Sequence, residues 1–194
     1  EGRGVQRSYG PLTLRLDGNI ARPTLDLRFE RPNATLGLAG VVAHLDPVPQ
    51  GFAYRAAGGS RIGPFTAAGT ILLPRGGNAR IQVDRLDVAG TRGTGGIDIV
   101  SGGFAGRIDV AGGGLAGTLG FSVPGAQRID VALEARGATL GTLGSVRRGR
   151  VDAGIVLGEN GTTLDLRLAA NGLRRGALAI ARLQASGRLV NGIG

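Results

Sequence analysis

The chain has no cysteine, methionine, tryptophan or lysine, a single histidine (His44), and only seven aromatic residues among 194. Each absence removes a class of chemistry. Without cysteine there are no disulfides, thiolate metal sites or cysteine nucleophiles, and the redox compartment stays open. Without lysine no Walker-type phosphate loop can be completed. His44 has neither a second histidine nor a cysteine with which to hold a metal, and no Gly-x-Ser-x-Gly elbow to activate, so a solvated or locally bonded imidazole is expected. No run of about 18 apolar residues occurs, and the first residues lack the charged-then-apolar plan of a signal peptide. The exclusive use of arginine for positive charge follows codon bias in a GC-rich genome. Lack of an initiator methionine leads us to expect a segment excised from a longer protein.

Glycine is what the chain has in excess, 38 of 194 residues against a usual share of about 7%. No G-X-Y period accompanies it, which excludes collagen, so the glycines are expected at turns and bends. Leu, Ile, Val and Phe together supply 54 residues, about 28%, well above the roughly 20% below which disorder is expected. No composition shift or linker divides the chain, and residues 1–194 read as a single repetitive β segment.

The organising pattern is an aliphatic-Asp-aliphatic triplet that returns every eleven residues: Leu86-Asp87-Val88, Ile97-Asp98-Ile99, Ile108-Asp109-Val110. Leu119-Gly120-Phe121 and Ile129-Asp130-Val131 continue it, and Leu14-Arg15-Leu16, Leu25-Asp26-Leu27 and Leu36-Gly37-Leu38 keep the interval near the start. Such spacing is one short strand plus one turn. Successive strand side chains point to opposite faces, so each triplet places two aliphatics on one face and the carboxylate on the other. Leu164, Leu166 and Leu168 against Thr163, Asp165 and Arg167 show the same period of two, which is the signature of half-buried strands.

Turn chemistry predicts where the strands end. Asp17-Gly18-Asn19, Arg31-Pro32-Asn33, Gly95-Gly96, Gly102-Gly103, Gly112-Gly113-Gly114, Pro124-Gly125, Asn160-Gly161, Asn171-Gly172 and Asn191-Gly192 are the candidate turns, with Asn160-Gly161 the strongest hairpin signal. Val48 to Pro74 is expected to be broken by Gly58-Gly59 and Gly63-Pro64. Leu173–Leu189 has helix formers, but Leu178 and Ile180 alternate and the pattern resumes out of phase at Leu183, which predicts strands with a bulge or bend near Arg182.

A net charge of +9 draws polyanions such as nucleic acid, anionic lipid headgroups or lipopolysaccharide. Only Arg147-Arg148-x-Arg150 and Arg174-Arg175 are clustered, and the aromatics are too scattered for a stacking platform, which argues against nucleic acid. Gly90-x-x-Gly93-x-Gly95-Gly96 lacks the βαβ setting of a dinucleotide loop and reads as hairpin glycines. Asp87, Asp98, Asp109 and Asp130 do not reproduce the nine-residue calcium repeat. Cross-strand pairing with Arg85, Arg107, Arg128 and Arg167 is expected instead, at about 0.2–1 kcal/mol each. No catalytic residue, metal site or cofactor is expected.

Dividing the chain by the eleven-residue unit gives about 17 strands, and open twisted sheets rarely exceed about 10 without curling. The expected fold is therefore all-β, a long and strongly curved repetitive sheet whose aliphatic face is concave. The candidate residues of that surface are Leu25, Leu27, Ile97, Ile99, Ile108 and Val110, followed by Leu119, Phe121, Ile129, Val131, Leu164 and Leu166. They are candidates either to line an apolar groove or to pack one another in a closed dry core.

Glycine-punctuated strands such as Arg107-Ile-Asp-Val-Ala-Gly112, Thr163 to Gly172 and Leu183 to Gly192 resemble the TamB (translocation and assembly module) branch of the AsmA-like proteins. The resemblance covers essentially the whole chain and implies a β-taco, a folded-over sheet, in an inner-membrane-anchored protein that spans the periplasm of Gram-negative bacteria. It implies a hydrophobic groove that carries phospholipid acyl chains or shelters unfolded outer-membrane protein strands, in outer-membrane biogenesis and protein secretion. An outer-membrane barrel partner of the TamA type, reached through regions outside or at the end of the segment, is implied as well. A β-solenoid stalk or passenger domain of a secreted adhesin, with parallel stacking and a filled interior, is the alternative. A transmembrane barrel fits the strand length but lacks aromatic girdles.

Overall fold

The computed structural model describes residues 12–19, 22–30, 38–60, 62–139, 141, 144–158 and 161–193. They form thirteen strands: β1 (Leu12–Asn19), β2 (Arg22–Phe29), β3 (Ala39–Val48), β4 (Gly51–Ser60), β5 (Gly63–Leu72), β6 (Arg80–Val88) and β7 (Thr91–Val100) make the first half. The second half is β8 (Gly103–Gly112), β9 (Leu115–Ser122), β10 (Gln127–Thr139), β11 (Ser145–Gly158), β12 (Gly161–Arg175) and β13 (Leu178–Val190). All thirteen lie in one sheet in sequence order, and every neighbouring pair is antiparallel. This is an open all-β meander. Consecutive strands pair directly with each other, so the parallel coils of a solenoid are absent among the described residues.

Thirteen strands replace the expected seventeen because the eleven-residue unit does not last. It holds from β6 to β9, whereas β10 to β13 are 13 to 15 residues long. Leu173–Leu189 is strand, within β12 and β13, apart from the turn at Gly176 and Ala177. Several expected turns also fall inside strands. Gly95 and Gly96 belong to β7, Gly58 and Gly59 to β4, Gly18 to β1 and Gly172 to β12. The predicted turns at Arg31-Pro32-Asn33 and Asn160, and the triplet at Leu36, lie outside the described residues.

Gly95, Gly106 and Gly117 explain why glycine was misplaced. They keep the eleven-residue interval, each two positions before an apolar member of a triplet, and each has φ near +150 (154, 147 and 148). A Cβ at these positions would run into the backbone carbonyls of Arg107, Gly96 and Ala132 on the adjoining strands. Only glycine permits that backbone and that approach. Gly58 has a different reason, since a Cβ there would press on Phe65 and Val41.

Pairing register carries the apolar alternation across the whole sheet. One unbroken row runs Leu16, Leu25, Leu45, Tyr54, Gly69, Val83 and Gly95, then Ile108, Leu119, Val131, Ala153, Leu166 and Gly187. Residues opposite each other in a ladder share a face, so all thirteen belong to one apolar side. Two bulges keep that phase: Gly40 and Val41 on β3, and Asp84 and Arg85 on β6, each place the extra residue without inverting the alternation.

The sheet curls toward the apolar face. Strands β5 and β10 would stand about 24 Å apart if flat, yet Gly141, beyond β10, lies against the carbonyl of Ile62, before β5. Near the same end a crease crosses β10 to β13. Ladder pairing skips the positions Gly137, Arg147, Gly172 and Ala181, although it continues on both sides of them. Gly137 and Gly172 are left-handed there, at φ 61 and 64. The step restores the apolar phase, so Ala138, Val146 and Ala170 bury one another with Leu115, Ala135, Leu173 and Leu183 around them. The predicted phase slip near Arg182 is this crease, at the adjoining Ala181.

Gly117→Val should destabilise the chain by about 2–4 kcal/mol, combining a strained backbone with a displaced neighbouring strand. Gly187→Ala, where the added methyl meets open space, should stay within about 0.5 kcal/mol. Urea unfolding midpoints of the two variants check this.

Candidate functional site

The structure brings all twelve candidate residues to the apolar side. Leu25, Ile108, Leu119, Val131 and Leu166 stand in the row traced above, and Leu27 and Val110 in the row beside it, which passes Leu14, Ala43, Ala56, Ala67, Leu86 and Gly93. On the other flank Ile97, Phe121, Ile129 and Leu164 align with Ile71, Ile81, Gly106 and Ile155. Ile99 lies one row further out, opposite Phe104.

Their surroundings differ sharply. Ile108 is 4% exposed and, with Leu45 and Val83, forms the closed floor of the curl. Ile99 and Phe104 are 43% and 46% exposed, and Leu73 and Leu157 lie open beside the same set of turns. The remaining ten candidates are half-buried. For Ile108, then, close packing is the role, whereas the outer row is an open apolar lip. Phe104 belongs to no triplet and was missed in the sequence. Its signal was there: Ser101-Gly102 is a two-residue turn, which sets Phe104 directly opposite Ile99.

At the same end a recess of about 710 Å³ is lined by Pro23, Pro47, Pro49, Phe52, Leu73 and Pro74 with neighbouring residues. Gln127 closes the lip between β8 and β10. Its side-chain amide donates to the carbonyl of Phe104 at 3.2 Å, and its carbonyl accepts from the Phe104 N–H at 2.6 Å. The side chain thereby substitutes for a strand beyond the end of β9.

The opposite face is charged, and many of its carboxylates are paired with arginine. Arg107 pairs with Asp109 at 2.8 Å, Arg128 with Asp130 at 2.7 Å and Arg150 with Asp152 at 2.7 Å. These pairs run along single strands between residues i and i+2, not across strands as expected. Such residues share a face about 7 Å apart, within an arginine's reach. Asp98 alone among the repeated aspartates takes a cross-strand partner, with Arg80 Nη1 donating to both oxygens at 3.0 Å. Hydrogen bonds from Arg128 and Arg150 hold the Asp130 and Asp152 carboxyls below the usual range. Tyr54 is pushed up, first by burial and then by Asp84.

His44 is bonded at both nitrogens. Nδ1 lies 2.7 Å from Asp26 on β2 and Nε2 3.1 Å from Asp46, which also accepts from Arg55 on β4. Two acceptors suit an imidazolium, and the Asp26 and Asp46 hydrogen bonds raise its pKa. No group of three or more metal-ligating side chains occurs among the described residues, and no described helix is long and apolar enough to cross a membrane.

No family model matches the chain, and no curated protein or solved structure matches it. The site is therefore read from its own geometry.

Two measurements follow. Ile108→Ala should cost about 2–4 kcal/mol as a core truncation, and Ile99→Ala under about 1 kcal/mol, compared by chemical denaturation. A raised folded pKa means that the His44 contribution is complete below about 6.5 and is lost as pH rises through the folded value. Amide exchange at the β2–β3 junction should accordingly quicken above neutrality, and His44→Ala should flatten that dependence.

Proposed function

We propose that the chain is a non-catalytic segment of a periplasm-spanning envelope protein, and that its apolar face conducts phospholipid acyl chains. The observation that carries this reading is the uninterrupted apolar row over thirteen strands with no second layer of structure above it among the described residues. The exposed surface, 13102 Å², far exceeds the roughly 8,600 Å² of a compact protein of this mass. A sheet of this width ordinarily covers its apolar side with helices or a second sheet. Here the covering material is absent, and a lipid chain supplies it. Each acyl CH₂ withdrawn from water gains about 0.8 kcal/mol without requiring a specific contact, so a smooth aliphatic surface holds a chain while letting it slide.

Entry is at the open lip formed by Ile99, Phe104, Leu73 and Leu157, because the opposite end is narrowed by the approach of Gly141 to Ile62 and is packed around Ala138. An unfolded outer-membrane strand is a second cargo. Edge strand β1 exposes Leu12, Leu14 and Leu16 beside backbone groups that no other described strand pairs, the arrangement that accepts an added strand. The resemblance to the TamB branch supports both cargoes and supports an inner-membrane-anchored position with a barrel partner in the outer membrane.

Photo-crosslinkers at Ile99 and Phe104, introduced in cells, should capture phospholipid well above the level seen at Asp98 on the charged face. Equal labelling at all three positions would remove the lipid reading, and capture of polypeptide without lipid would assign the surface to outer-membrane protein strands.

A further inference from the structure

The positive charge of the sheet is not spread evenly. Over most of the charged face each carboxylate has an arginine two residues before it or on the neighbouring strand. That pattern stops toward the end of β10, the start of β11 and the β12–β13 turn at Gly176 and Ala177. Arg136 directly faces Arg148, Arg148 faces Asn171, and Asn171 faces Arg182. Just beyond this row, Arg147 leans over the bare Cα of Gly172, Arg174 stands opposite Ser145, and Arg175 packs beside Gly144. All six arginines are exposed. Among the described residues only Arg136 has a carboxylate partner, Glu134 at 3.6 Å.

Like charges directly opposite each other on adjoining strands destabilise a sheet. The fold gains nothing from setting Arg136 against Arg148, and no described carboxylate balances the other five arginines. The crease opens a recess of about 670 Å³ whose lining includes Gly137, Arg147, Gly172 and Arg174, which gives an anionic group room beside two arginines. Two observations choose the kind of anion. No aromatic residue follows Phe121, so nothing in this region can stack a base, as single-stranded nucleic acid requires. Leu178 projects beside Arg174 and Arg175 at 57% exposure, and an apolar side chain among arginines is the composition that settles at the headgroup boundary of an anionic bilayer.

We propose that this end of β10 to β13 docks on a surface of anionic lipid headgroups, with Arg147, Arg148, Arg174, Arg175 and Arg182 receiving the phosphates and Leu178 entering the headgroup layer. The docking does not depend on the apolar groove carrying lipid, since it uses the end of the sheet away from the open lip, with Arg148, Arg174 and Arg182 on the charged face and Arg175 and Leu178 on the other.

The test is sedimentation of the 194-residue chain with vesicles of phosphatidylcholine alone or with added phosphatidylglycerol. Binding should require phosphatidylglycerol and weaken steeply with salt. Replacing Arg147, Arg148, Arg174 and Arg175 by Gln should lower the partition coefficient on the order of a hundredfold or more, at about fivefold per arginine. A charge-matched variant with Gln at Arg15, Arg55, Arg85 and Arg107, each of which has a carboxylate partner, should keep most of the binding. Equal loss in both variants would reduce the effect to net charge and overturn the site. Binding to neutral vesicles, displacement by inorganic phosphate, or tighter binding to an oligonucleotide than to the vesicles would overturn the lipid surface as the partner. Salt dependence of the unmodified chain and the Leu178→Ser variant, expected to weaken binding several-fold, test the proposal without relying on the multiple substitutions.

Discussion

A single sheet has two faces, and only an interaction of the sheet with itself can shelter one of them when no second layer is present. In this chain that interaction is the side-by-side contact of aliphatic residues along the ladder rows. Leu45, Val83 and Ile108 reach burial in the middle row without a second described layer above them, because the curl draws their neighbours over them. The curl in turn demands that the apolar side not be overfilled, and so large residues alternate with glycine: Val83 beside Gly95 beside Ile108, Leu86 beside Gly93 beside Val110. Curvature, glycine content and the position of the small core are three expressions of that one requirement.

The charged face obeys a complementary rule. It bends outward, its side chains spread apart, and most of the arginines that pair find their carboxylate on the same strand rather than on the next one. The pairs Arg107 with Asp109, Arg128 with Asp130 and Arg150 with Asp152 are exposed and each contributes little on its own. Their value lies in cancelling charge on a surface that would otherwise repel itself, which makes the unpaired group at the crease conspicuous.

The period of two and the return of the triplets made the strands, the two faces and the curl legible from residues alone, and the twelve candidate residues drawn from that pattern all stand on one apolar side. Glycine was the source of most errors. Gly95-Gly96 and Asn171-Gly172 have the composition of turns, yet one pair sits in a strand where the adjoining backbone comes too close for a Cβ, and the other marks a crease that no turn rule describes. The distinction between Ile108 in the floor and Ile99 on the lip was likewise hidden, because both belong to the same kind of aliphatic-Asp-aliphatic triplet, and spacing does not reveal their distance from the narrowed end. His44 was placed among locally bonded histidines, but its bridging of two strands depended on a register that spacing does not reveal.

Apart from the approach of Gly141 to Ile62 and slight contact between β8 and β10, the substantial contacts of each described strand are with those before and after it in the chain. Order in such a molecule is passed from neighbour to neighbour, as in repeat proteins, and no distant segment has to be found before a hairpin can form. Assembly can start at any well-formed hairpin, and loss of order should begin at β1 and β13 and move inward. The central strands around Ile108, flanked on both sides, would be the last to come apart, so the sheet behaves less as one cooperative body than as a graded series of linked hairpins.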